Sequence, residues 1–89
     1  MNFTVIWLPD ALKQLAQLRM NAADKASVTL ASHRLDQRLA SNPLTEGESR
    51  SPGDRITFEA PLQILFRVVP KERTVYVTSV GPFGTRSVG

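Results

Sequence analysis

Leu62-Gln63-Ile64-Leu65-Phe66-Arg67-Val68-Val69 is the stretch whose reading decides the fold. Leu62, Ile64, Phe66 and Val68 alternate with Gln63, Leu65, Arg67 and Val69, so one face is wholly apolar and the other is mixed and carries a charge. A half-buried antiparallel strand has this period of two. The apolar face is committed to a core, which leaves the mixed face as the place where an open sheet can hold function. Turn residues bound the run, with Ala60-Pro61 before it and Pro70-Lys71-Glu72-Arg73 after it, and proline at such places breaks a ladder.

Working outward, residues 55–59 and 74–80 read as strands on either side of this one. The polar stretch 44–54, punctuated by Gly47, Pro52 and Gly53, reads as a connection. Two helical patterns lie upstream. Pro9 suits the first position of a helix and Asp10 its positive end, and Ala11, Leu12, Leu15 and Leu18 follow at helical spacing. Asn21 is the expected N-cap of a second helix with Asp24 in its first turn, and Val28, Ala31, Leu35 and Leu39 form its apolar stripe. Asn42-Pro43 ends that helix, because a residue before proline is pushed out of helical geometry. Residues 2–8, aromatic and β-branched, read as a first strand. The order is β-α-α-β-β-β. It predicts a two-layer α+β fold, a helical hairpin packed on a mostly antiparallel four-stranded sheet. Ile56 and Phe58 are expected in the core beside Leu62, Ile64, Phe66 and Val68.

A chain of 89 residues that is 42% hydrophobic supports one domain with one modest core. That domain is expected over residues 1–83, with 84–89 as a mobile glycine-containing tail. The absence of cysteine excludes a disulfide framework and a thiolate metal site. No run reaches the length of a transmembrane helix and residues 1–8 lack the basic start of a signal peptide, so no membrane partner and a cytoplasmic location are expected. The net charge of +3 suits an anionic partner, although many small domains carry such a surplus.

Several stretches in this order resemble the RelE/ParE family of bacterial type II toxins. Val5-Ile6-Trp7 with Pro9-Asp10-Ala11 is similar to the family's first strand and helix start. Leu35-Asp36 with Leu39 and Asn42-Pro43 resembles the end of its second helix, and Gly47-Glu48-Ser49-Arg50 its loop before the sheet. Leu65-Phe66-Arg67-Val68 and Val75-Tyr76-Val77-Thr78-Ser79-Val80 resemble its last two strands. The resemblance implies a toxin held inactive by a cognate antitoxin. It also implies one of two activities: ribosome-dependent mRNA cleavage, with the ribosome and mRNA as partners, or non-enzymatic inhibition of DNA gyrase. A toxin fold that has lost toxicity and survives as a binding protein is a third reading.

Cleavage of mRNA needs cationic groups to stabilise the phosphorane and a titratable group to move protons. In the nuclease branch these stand early in the third strand and just after the fourth, where this chain has Gln63 and Phe83. Substitutes are available: Arg67 shares the parity of Gln63, and Arg55, opposite in parity to Ile56 and Phe58, is expected on the same open face. Arg67 and Arg55 are thus the candidate catalytic pair, with Arg50, Arg86 and Gln63 as candidate RNA- or phosphate-binding residues. The competing reading of Arg55 and Arg67 is cross-strand pairing with Glu59. No cofactor is expected, and a single histidine, His33, suggests no metal site and reads as a surface residue. Tyr76 reads as strand packing, Glu59 as a charge beside a turn, Trp7 as core, and Leu30 as an exposed residue off the helical stripe.

Overall fold

The computed structural model describes residues 2–83. It runs β1 (Thr4–Trp7), α1 (Pro9–Asn21), α2 (Lys25–Ser41), β2 (Glu48–Ser51), β3 (Asp54–Glu59), β4 (Leu62–Val69) and β5 (Thr74–Pro82), with short 3₁₀ turns at Pro43–Thr45 and Pro70–Glu72. The strands form one five-stranded sheet in the order β1-β5-β4-β3-β2. β1 runs parallel to β5 and the other pairings are antiparallel. Both helices cover one face, as the alternation in β4 requires. No described helix is long and apolar enough to cross a membrane.

The core is the meeting of two periodicities. Leu62, Ile64, Phe66 and Val68 of β4 and Val75, Val77 and Val80 of β5 meet Val28, Ala31, Leu35 and Leu39 of α2, all of them buried. In α1 the line that packs inward is Ala11, Leu15 and Leu18, of which only Ala11 is fully buried. Leu12, expected in that stripe, is 51% exposed because it stands about 100° round the helix from Ala11. A bulge at Thr78 of β5, opposite the Leu65–Phe66 step of β4, shifts the phase of the strand so that Val80 still points inward. The Val80 N–H donates to Oε1 of Gln14 on α1 at 2.7 Å, which ties helix to sheet at that place.

Three further sequence expectations need correction. The sheet has five strands, not four, because part of the polar connection, Glu48–Ser51, folds back on β3 as a short exposed strand. Asn21 closes α1 rather than capping α2, and Asp24 is the N-cap. Its carboxylate accepts from the Ser27 N–H at 3.2 Å and from the Ser27 hydroxyl at 2.6 Å. Third, β3 presents the opposite face to the one expected. Thr57 pairs with Ile64 and is buried, while Ile56 and Phe58 pair with Leu65 and Gln63 on the open face.

The Asp24 cap carries a pH signature. The Ser27 hydrogen bonds hold its carboxyl below the ordinary 3.8. A group with a depressed folded pKa contributes stability that is complete above its unfolded value and is lost as pH falls through the folded one. Asp24→Ala is therefore expected to lower the melting temperature at pH 7 and to cost much less at pH 2. Thermal melts of both proteins at the two pH values measure this; an equal deficit would exclude a charged cap.

Candidate functional site

The face of the sheet turned away from the helices is built in rows across β3, β4 and β5. One row is Phe58, Gln63 and Gly81; the next is Ile56, Leu65 and Ser79; the third is Asp54, Arg67 and Tyr76, extended onto β1 by Ile6. Phe83, just past β5, turns back so that its ring stacks on Phe58 with centroids 4.2 Å apart and planes at 29°. Its N–H donates to the Pro61 carbonyl at 2.9 Å, which anchors the chain at that corner. The face is therefore aromatic and aliphatic at the Phe58 end and polar at the Arg67 end.

Among the described residues, Arg67 is the only cation that β3, β4 and β5 place on this face. Its guanidinium meets Asp54 Oδ1 at 3.0 Å, and the other Asp54 oxygen accepts from the Ser51 hydroxyl at 3.0 Å. Gly53, at φ +86°, lies directly under the guanidinium: an added Cβ would stand 2.8 Å from Nη1. The competing reading of Arg67 as a cross-strand pair is the one observed, with Asp54 as the partner instead of Glu59. With its side chain half exposed, the ion pair adds little stability. It does neutralise the cation at the point where a phosphate would approach.

The register overturns the expected orientation of Arg55. Arg55 pairs with Phe66 and so points to the helix side, where it donates to the Glu46 carbonyl at 2.8 Å and the Gly47 carbonyl at 3.1 Å. Arg55 and Arg67 lie on opposite faces and do not form one site. Gln63 does share the open face with Arg67, but four residues away along β4, about 13 Å. Arg50 is exposed at the bulge of β2 on the sheet edge, and Arg86 lies outside the described residues.

The remaining candidates fall out simply. The Tyr76 hydroxyl donates to Glu72 Oε1 at 2.9 Å, and this bond raises the phenol above its ordinary 10.0, which makes it a poor base near neutrality. His33 and Leu30 are exposed on α2. Among the described residues no group of His, Asp or Glu is placed to hold a metal ion. Trp7 is half-buried against the core, its indole N–H donating to Asp36 Oδ1 at 2.9 Å.

Sequence reasoning missed the residues that define the helix side of β3. Arg38 of α2 bonds Glu46 Oε1 at 2.6 Å, Glu59 Oε1 at 2.7 Å, the Thr57 hydroxyl at 3.0 Å and the Phe58 carbonyl at 2.9 Å. The hydrogen bond to Glu46, helped by Glu59, holds the guanidinium pKa above its ordinary value. This network satisfies Thr57 and Glu59 on the inward phase of β3, while the Glu46 and Gly47 carbonyls satisfy Arg55 there.

No family model matches the chain, and no curated protein matches it. Solved structures do. The toxin–antitoxin complex RelBE2 from Mycobacterium tuberculosis contains a chain 19% identical, covering 92% of each chain with a TM-score of 0.76. The isolated E. coli RelE toxin is 17% identical over 94% of this chain and 87% of its own, with a TM-score of 0.70. The chromosomal ParDE system from P. aeruginosa gives 15% identity over 92% and 97%, with a TM-score of 0.65. With more than nine-tenths of this chain superposed on RelE and ParE structures alike, the chain has the fold of the RelE/ParE toxins.

Proposed function

We propose that this chain is the toxin component of a type II toxin–antitoxin module, neutralised by a protein antitoxin, and that its open sheet face acts by gripping a protein rather than by cutting RNA. The observation that carries the second part is the composition of that face. Ile56, Phe58, Leu65 and Phe83 occupy its middle and one end, and its one arginine on β3 to β5 among the described residues is paired with Asp54. Phosphoryl transfer draws on preorganised positive charge and a proton-transfer group; an apolar, aromatic centre with a polar rim is what a protein contact uses. A protein target such as DNA gyrase fits this surface better than a ribosome-bound message. The fold supports the antitoxin part of the reading, since solved chains of this shape include members of the RelBE2 complex and the ParDE system.

The test is tightly controlled induction of the parent, Arg67→Ala and Phe58→Asp in a bacterial culture, with transcript integrity followed beside growth. The expected result is arrest by the parent and by Arg67→Ala with transcripts intact, and relief of arrest by Phe58→Asp. Cleaved transcripts with rescue by Arg67→Ala would instead establish the nuclease reading. Normal growth with well-expressed, folded parent would remove the toxin assignment.

A further inference from the structure

The sheet ends in two edges of opposite character. β2 is exposed along its length, carries Glu48 and Arg50, is broken by a bulge between Ser49 and Ser51, and is followed by Pro52. These are the devices that keep an edge from pairing with another chain. β1, Thr4-Val5-Ile6-Trp7, is as short as β2, and the Phe3 N–H just before it is taken by the Ala40 carbonyl at 2.8 Å. It holds no charge and no proline, however, and its register against β5 is unbroken from Thr4 to Trp7. In a parallel ladder, residues of one parity bond to a given neighbour. The Thr4 N–H donates to the Arg73 carbonyl at 2.8 Å and the Leu8 N–H to the Val77 carbonyl at 3.0 Å, so that parity belongs to β5. Val5 and Trp7 therefore turn their backbone N–H and C=O outward, and among the described residues no strand pairs with them there.

We propose that this edge pairs with the same edge of a second copy, antiparallel about a twofold axis through Ile6, to make one continuous sheet across two molecules. The inference is independent of the function proposed above. The strand fits itself: with Ile6 on the axis, Val5 of one copy lies opposite Trp7 of the other, and symmetry repeats the pair. The two outward-facing residues of β1 are thus the two that meet, and each pair exchanges both its backbone hydrogen bonds. Ile6, 40% exposed on the open face, lies against its own copy as an apolar cross-strand pair. No like charges meet, because β1 has none. The contact is isologous and closes at a dimer.

A contact made by one short strand belongs with the smaller specific interfaces, so the dimer is expected at about 100 μM chain and dissociates on dilution. Sedimentation equilibrium across that range, with amide hydrogen exchange at low and high concentration, tests it. Slower exchange at Val5 and Trp7 in the concentrated sample is the expected signature. Ile6→Lys sets two like charges on the axis and is expected to weaken the dimer at least about tenfold; Ser49→Lys on the defended edge is expected to leave it unchanged. Should Ile6→Lys fail to fold, exchange at Val5 and Trp7 in the parent decides. A chain that stays monomeric at that concentration overturns the proposal, as does a dimer that leaves those two amides unprotected or survives Ile6→Lys. Neither outcome bears on growth arrest, which tests the toxin reading separately.

Discussion

Gly47→Ala is expected to lower the free energy of unfolding by about 3 kcal/mol or more. Gly47 sits at φ +64° in the bend that brings β2 alongside β3. A Cβ built there would stand 1.9 Å from the Ile56 carbonyl oxygen and 2.8 Å from the Thr57 Cβ. Those neighbours are not free to yield, for the Ile56 carbonyl is β3 backbone and Thr57 is buried and bonded to Arg38. The left-handed conformation itself adds about 1 kcal/mol for a residue with a side chain. Two other glycines grade the effect. At Gly53 the obstacle to a Cβ is the far end of the Arg67 side chain, which can swing away, so Gly53→Ala is expected to cost about 1 kcal/mol from backbone strain alone. At Gly81 the nearest atoms are at 3.6 Å, and Gly81→Ala is expected within about 0.5 kcal/mol of neutral. Urea unfolding of the three variants measures the series. A cost at Gly47 no larger than at Gly53 would mean that the bend relaxes, and that the close approach to β3 is not what fixes it.

The strands on either side of the β4 run show how far the sequence carries. Apolar alternation in β4 and the 28, 31, 35, 39 spacing in α2 are strong signals, and both halves of the core lie where they indicate. β3 misleads because its own alternation, Ile56 and Phe58 against Arg55, Thr57 and Glu59, points the wrong way when read alone. The correcting signal was present one turn later. Two residues, Ala60 and Pro61, separate Glu59 from Leu62, and residues that close a two-residue hairpin face each other on one side of the sheet. Leu62 starts the strongest apolar phase in the chain, so Glu59, Thr57 and Arg55 had to share its face. That reasoning would have moved Arg55 out of the candidate site and placed Ile56 and Phe58 in it. What no local pattern reveals is Arg38, whose partners are 8 to 21 residues away in sequence. The Phe58–Phe83 stack is likewise hidden, because it joins a β3 residue to one just past β5, 25 positions on in the sequence. Gln63, by contrast, lies on the open face as its parity indicated.

Arg38→Met is expected to cost about 2 to 3 kcal/mol, and the reason is what it leaves behind. Glu46 and Glu59 would face each other across the vacated position with side chains 21% and 24% exposed, and the Thr57 hydroxyl would lose an acceptor role beneath them. Breaking a fully buried ion pair costs more than this; Arg38 is one-third exposed, so solvent recovers part of the loss. The charge argument makes a second, sharper expectation. In Arg38→Met/Glu46→Gln/Glu59→Gln the orphaned carboxylates are gone, and at least about 1 kcal/mol of the deficit is expected to return. If the triple variant is no more stable than the single one, the guanidinium matters as packing and as a donor to Thr57 and the Phe58 carbonyl, not as a counter-ion. The two results differ in consequence for the open face. Arg38 holds the Phe58 carbonyl from the helix side at 2.9 Å, one residue's backbone away from the ring that stacks on Phe83. A counter-ion role makes the presentation of Phe58 depend on Glu46 and Glu59, so that Glu59→Gln would loosen an aromatic surface it never touches.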